Sequence, residues 1–321
     1  MGSIQGLDHY PDADCSDIRA KVAAHHGVSP ENVAMGAGSS EIIRNFPFAF
    51  LNKGDRVLVP RPSFAEYSQQ IILAGGVIDY MDLLPENGFH IDADEMCRRI
   101  SAGGYRAVYV CNPNNPTGRV ETRETLERIA SECEKHDTLM FLDETLLELV
   151  YEEPDISLIP VIRSHPNLLV ARSFTKSFAV PGVRVGYGIA DPAIIAEIQK
   201  VRLPWNLGAM EQAAVGFMVD NFAFVEEAAA ELRAESSVFY DEMKAILPLK
   251  DNTESFFFFT DLSPLGISVA DLSAEMVKRG FVIRDCASFG YPTYVRFCVK
   301  DRGRDSRFAE AMAESVAVLK G

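Results

Sequence analysis

The order of apolar and amphipathic segments predicts an α/β fold, with a large domain on a mainly parallel seven-stranded sheet and a small α+β domain after it. Buried-strand candidates fall at Val33 to Met35, Arg56 to Val59, Val77 to Met81, Ala107 to Cys111, Leu139 to Asp143, Leu168 to Arg172 and Val185 to Ala190. They alternate with amphipathic stretches, the pattern of parallel strands joined by helical crossovers. Beyond Pro204 the alternation stops. A long helical region, Ala209 to Ile246, precedes strand-like Phe256 to Thr260 and Tyr294 to Val299, which flank the helical Val269 to Arg279. Residues 16–205 are assigned to the large domain, and 1–15 with 206–321 to the small one. The charged face of the long helical region, with Glu226, Glu227, Glu231 and Arg233, reads as solvated. No linker or internal repeat is evident.

Ligands of open α/β sheets bind outside the carboxyl ends of the strands, and three of these ends carry chemistry. The richest is Arg172 to Gly188, where Ser173, Thr175, Lys176 and Arg184 follow the apolar run Leu168 to Val170. A lysine amine forms a Schiff base with a carbonyl, while hydroxyls and a guanidinium hold phosphate oxygens. Pyridoxal phosphate presents both groups. Taken alone, Lys176 also reads as a solvated loop charge. The second end is Cys111-Asn112-Pro113-Asn114-Asn115-Pro116-Thr117-Gly118, where the Asn115 amide can donate to a ring oxygen, or the segment is a plain turn. The third is Thr138 to Glu144, where Asp143 can keep a pyridinium nitrogen protonated and so make the ring an electron sink. The bland alternative is a carboxylate capping the next helix, and Glu144 is expected to act in that way.

Together these motifs resemble the fold-type I pyridoxal-phosphate enzymes of aminotransferase class I/II, in order and spacing from about Tyr10 to Arg296. Within them the chain is similar to the branch that holds histidinol-phosphate aminotransferase and L-threonine O-3-phosphate decarboxylase. The resemblance implies a catalytic pair, Lys176 as Schiff-base lysine and Asp143 as pyridine-nitrogen partner. It implies Asn115 at the ring oxygen and Ser173, Thr175 and Arg184 at the phosphate. Met35-Gly36-Ala37-Gly38-Ser39-Ser40-Glu41 matches the family's glycine-rich turn, with the amides of Ser39 and Ser40 completing the phosphate cup. Phe64 matches the aromatic that stacks on the ring. Tyr10 matches a tyrosine that reaches the neighbouring subunit's cofactor phosphate, so a homodimer is expected. Amino-acid biosynthesis is the setting the resemblance implies.

Two departures stand out. Leu146 occupies the position, three residues after Asp143, where the family commonly carries a tyrosine. One hydrogen bond to the ring oxygen is then absent, and the protonation of the lysine Schiff base is expected to shift. Relatives also carry a longer segment before the Tyr-Pro-Asp motif, including an arm over the site, which points to an upstream start or a more open site here.

Gly36-x-Gly38 also resembles the opening of a dinucleotide fingerprint. Glu41 stands where the third glycine belongs, however, and about 20 residues on there is Arg61 rather than a ribose-binding acid. A nicotinamide enzyme is therefore disfavoured.

Composition agrees with an enzyme. At 321 residues and 47% hydrophobic, the chain can bury one large core and a second, smaller one. A formal charge of −15 without a basic run argues against nucleic acid and anionic membrane as main partners. No stretch approaches about 18 consecutive apolar residues, and Met1 to Gly6 lacks the features of a targeting signal, so a cytoplasmic protein is expected. The six cysteines are scattered without a Cys-x-x-Cys spacing and read as reduced thiols. The histidines are dispersed, and His25 and His26 cannot share a helix face, so no metal is expected.

Substrate choice falls to Arg284 and Arg296, two guanidinium forks suited to an acidic or phosphorylated amine. Arg296 also matches the family's substrate-anion arginine, whereas Arg284 reads alternatively as an ion pair with Asp285 or another surface acid. Transamination is the expected reaction, with Lys176 as proton carrier. The alternative is threonine-phosphate decarboxylation, which Pro204-Trp205-Asn206, Arg284 to Phe289 and Leu146 resemble. A non-catalytic binding homologue is the remaining alternative.

Overall fold

The computed structural model describes residues 7–150 and 155–321, and the counts below refer to these residues. The Met1 to Gly6 segment lies outside them, and with it part of the N-terminal segment assigned to the small domain. Seven strands form the large sheet: β1 (Val33–Gly36), β2 (Arg56–Arg61), β3 (Val77–Asp82), β4 (Tyr105–Cys111), β5 (Leu139–Asp143), β6 (Leu168–Ser173) and β7 (Gly186–Ala190). Their order is β1-β7-β6-β5-β4-β2-β3. Strands β3, β2, β4, β5 and β6 pair in parallel, and β7 runs antiparallel to both β6 and β1.

The central strands are apolar at consecutive positions because both sheet faces are covered. Val108, Val110, Met140, Leu142, Leu168 and Val170 point into one core, with α1 (Ser16–His26), α4 (Ala93–Ser101) and α5 (Arg123–Lys135). Ala107, Tyr109, Phe141, Leu169 and Ala171 point into the other, with α2 (Ser39–Phe50), α3 (Ala65–Leu73) and α7 (Pro192–Val201). This alternation is the period-two geometry of a strand. Several helices start where a polar side chain caps a free amide. Asp92 caps α4, Thr122 caps α5, and Asp191 caps α7 just before Pro192.

The long helical region is two helices, α8 (Ala209–Asp220) and α9 (Ala223–Met243), parted at Asn221. Val215 and Met218 of α8 pack with the first large-domain core. A third core begins with Phe239 and gathers α10 (Val269–Lys278), α11 (Arg302–Lys320) and a three-stranded antiparallel sheet. That sheet has the order β8 (Phe257–Asp261), β10 (Tyr294–Cys298), β9 (Arg284–Asp285).

A polar latch joins the loop after Asn115 to the chain entering β8. Glu254 accepts from the Val120 amide at 2.7 Å, and His90 lies 3.4 Å from both Glu121 and Glu254. These two carboxylates raise the His90 pKa to about 9.

Candidate active site

The carboxyl ends of β4, β5 and β6 open on one cleft of about 170 Å³, walled by Ser39, Ser40, Phe64, Asn115, Asp143, Thr175, Lys176 and Arg184, together with Tyr67, Cys111, Pro113, Thr145 and Leu146. Eight of the residues singled out by sequence therefore share one cavity. Gly38 and Ser173 adjoin residues of this wall, whereas Tyr10, Arg284 and Arg296 are not part of it.

The glycine-rich turn is shaped by its neighbours. Gly38 has φ +78°, and a Cβ on it would stand 2.5 Å from Arg184 Nη2. On β7, a Cβ on Gly186 would stand 2.4 Å from the Ser39 nitrogen. Gly186 therefore has no room for a side chain against backbone, and Gly38 holds a φ that side-chain-bearing residues rarely adopt, which lets the start of α2 and the Arg184 guanidinium converge. No side chain caps α2, so its first amides and positive dipole end remain available to an anion. Arg184 holds φ +55°, with Nη2 3.4 Å from Ser40 Oγ. Glu41, which sits where a dinucleotide fingerprint has glycine, braces the turn by accepting from the Ala37 amide at 2.6 Å and Asn206 Nδ2 at 2.8 Å.

Lys176 projects from α6 (Phe174–Ser177), the short helix that starts directly after β6. Ser173 caps this helix by accepting from the Thr175 amide, and its own hydroxyl lies 2.8 Å from Thr175 Oγ1 and 3.2 Å from the Val185 carbonyl. Partial burial, then the positive charges of Arg184, Arg296 and Lys300, hold the Lys176 amine below the usual lysine range. A fraction of neutral amine is what attack on a carbonyl requires.

Asp143 ends β5 and is buried. Burial pushes its carboxyl above the usual range, against hydrogen bonds from Thr145 and Tyr67 that pull it down. The Tyr67 hydroxyl donates to Oδ2 at 2.6 Å, and the Thr145 amide donates to Oδ1 at 2.9 Å. Sequence reasoning missed Tyr67. Its signal was its place three residues after Phe64, which puts both on one face at the start of α3.

Glu144 does not cap a following helix. It is buried and binds Arg172, accepting from Nη2 at 2.7 Å and Nε at 2.9 Å, and it accepts from Ser157 and the Leu158 amide. Fully buried Arg172 demands carboxylate partners, and Glu144 and Glu148 supply them.

On the small-domain side, Arg296 and Arg284 stand directly opposite each other on β10 and β9. The Arg296 guanidinium donates to the Asn115 side-chain oxygen across the cleft. Arg284 does not pair with Asp285. It donates to Ser288 Oγ at 2.9 Å, while Asp285 accepts from the Ala287 amide at 2.7 Å. Adjacent residues on a strand face opposite ways, which separates Arg284 from Asp285.

This sequence matches the profile of aminotransferase class I and II over residues 1–312. The chain belongs to that family. The members are pyridoxal-phosphate enzymes, and the pocket fits such a group: an uncapped helix start beside Gly38 and Gly186, a lysine with a depressed pKa, and a buried carboxylate. Among similar proteins is the histidinol-phosphate aminotransferase of Limosilactobacillus fermentum, 32% identical over 87% of this chain and 75% of that one. A relative from Caldanaerobacter subterraneus, provisionally named a threonine-phosphate decarboxylase, is 28% identical over 95% of this chain and 83% of its own length. The solved histidinol-phosphate aminotransferase of Clostridium acetobutylicum superimposes with a TM-score of 0.90 at 26% identity, covering 99% of this chain and 93% of that one. This class I and II aminotransferase contains no helix among its described residues long and apolar enough to cross a membrane.

Proposed function

We propose that the enzyme transfers an amino group from a phosphorylated or acidic amine, histidinol phosphate being the first candidate. The observation that carries this is the cross-strand pair Arg284 and Arg296, with Arg296 reaching the same Asn115 that walls the lysine cavity. Two forks side by side suit a phosphate dianion. Curated relatives named histidinol-phosphate aminotransferase support the same substrate class.

Bound pyridoxal phosphate would supply a carbonyl for the amine and a ring that withdraws electrons from the substrate carbon. We assign its phosphate to the amides of Ser39 and Ser40 beside Gly38, and to Ser173, Thr175 and Arg184. Asn115 serves the ring oxygen, Asp143 the ring nitrogen, and Phe64 the ring face. Lys176 Nζ would then serve as the general base that takes the proton from the substrate carbon bearing the amine. Arg296 and Arg284 hold the substrate anion.

Tyr10 is assigned to the neighbouring subunit's phosphate site, in a cytoplasmic homodimer. It is 83% exposed and packs at 4.9 Å on Trp205, itself an exposed aromatic. Large-domain residues 16–205 and a small domain of 1–15 and 206–321 remain the proposed division, with α8 packed on the large core.

A second reading, decarboxylation of threonine phosphate, is favoured by Leu146 in the cavity wall. One experiment separates the two. Protein loaded with pyridoxal phosphate is given histidinol phosphate with a 2-oxo acid, or threonine phosphate alone. Amino transfer in the first tube supports the proposal, and carbon dioxide release in the second without amino transfer in the first overturns it.

A further inference from the structure

Leu146 removes one phenol from the family's pattern, yet the cavity wall contains another. Tyr67 is the one tyrosine in that wall among the described residues, and its hydroxyl meets Asp143 rather than the end of the cleft where Asn115 stands. We propose that Tyr67 is a positioning residue for Asp143: its hydroxyl keeps the buried carboxylate ionised and in one rotamer, ready for a protonated ring nitrogen. This rests on the pyridoxal-phosphate reading and deepens it at the nitrogen end.

Three observations carry it. Both groups are buried, Tyr67 1% and Asp143 5% exposed, so neither exchanges its partner for bulk water. The phenol is fixed by its ring, which packs 5.6 Å from Phe64 and 5.4 Å from Tyr109, leaving the hydroxyl little freedom to turn elsewhere. The carboxylate takes hydrogen bonds from Tyr67 and the Thr145 amide, one on each oxygen, and the Thr145 hydroxyl also favours its anion. Two oxygens offer about four acceptor sites, so capacity for a further N–H remains. A neutral hydroxyl can only donate to an anion here, since burial and the facing Asp143 raise the phenol's pKa well above its usual value.

The energetic reasoning has a definite sign. Desolvation favours the protonated acid, and a protonated Asp143 could not stabilise a pyridinium. The Tyr67 hydrogen bond favours the anion. Removing it raises the Asp143 pKa further, so ionisation is lost at a higher pH as the solution is acidified.

The test uses apo-protein and two ligands, pyridoxal phosphate and its analogue with carbon in place of the ring nitrogen. Affinities are measured against pH for wild type, Tyr67→Phe, Asp143→Asn and the double variant. Wild type is expected to prefer the nitrogen-bearing ligand at neutral pH and to lose that preference on acidification. Tyr67→Phe should reduce the preference by roughly ten- to a hundredfold, the range of a hydrogen bond to a charged group, and move its midpoint upward in pH. In the Asp143→Asn background the same change should add nothing.

An unchanged preference and midpoint in Tyr67→Phe would overturn the proposal, as would equal weakening of both ligands, the mark of a merely structural role. Placing a ring-fluorinated tyrosine at position 67, a stronger donor of nearly the same shape, should move the midpoint downward even where the phenylalanine variant folds poorly. Wild type that binds neither ligand would instead overturn the cofactor reading itself.

Discussion

The two walls of the cleft are built differently. The large-domain wall is set by main chain: the close approach at Gly38 and Gly186, the start of α2, and strand ends that deliver Asp143 and Lys176 from a covered sheet. The small-domain wall stands outside the lining of the lysine cavity: it is made of two long side chains, Arg296, which reaches Asn115, and Arg284 opposite it, on short antiparallel strands, with Arg284 exposed. Backbone placement tolerates little change, whereas arginines can be moved by single substitutions. Under the proposed roles of these arginines, cofactor placement is the fixed property of this architecture and substrate choice the adjustable one.

Lys176→Ala gives the largest expected effect on the fixed wall, a fall in amino transfer of roughly 10²- to 10⁴-fold, the range for a positioned proton carrier. Single-turnover kinetics would show it, and a loss under about tenfold would break the assignment of that wall. Gly186→Ala drives a Cβ into the Ser39 backbone and should destabilise the fold by about 1–3 kcal/mol. It should also weaken pyridoxal-phosphate binding, which thermal melts with and without cofactor would separate.

The adjustable wall should respond in KM rather than in cofactor binding. Arg296→Ala is expected to raise KM for a phosphorylated amine by roughly ten- to a hundredfold, and Arg284→Ala by less, because exposed Arg284 is already solvated. Equal effects would contradict this ranking. In the latch that joins the loop after Asn115 to the chain entering β8, His90 carries a pKa raised from 6.5 to about 9 by Glu121 and Glu254. Its stabilisation is fully present below 6.5 and lost as pH rises through about 9. The melting-temperature gap between wild type and His90→Gln should therefore be widest in mild acid and close in alkali. A gap independent of pH would mean the latch does not act through charge.

The fixed wall was also the legible one. Lys176, Asn115 and Asp143 each follow an apolar run, so strand ends could be found from local sequence, and all seven large-sheet strands lie near their expected positions. What escaped depends on partners distant in the chain. Strand β9 has two residues, too few for any periodicity, so the register that sets Arg284 against Arg296 was invisible. Tyr67 meets Asp143 from 76 residues away. Glu144 was read as a local cap because nothing near it announces the buried Arg172. The break at Asn221 lies between two helix-forming stretches and lacks glycine or proline to mark it.

The most direct test compares amino transfer from histidinol phosphate with transfer from unphosphorylated histidinol, using the enzyme loaded with pyridoxal phosphate, in wild type and in Arg296→Ala. The account predicts that wild type strongly prefers the phosphorylated amine in kcat/KM and that the variant loses most of the preference while retaining cofactor. Equal rates for both amines in wild type, or an intact preference in Arg296→Ala, would contradict it.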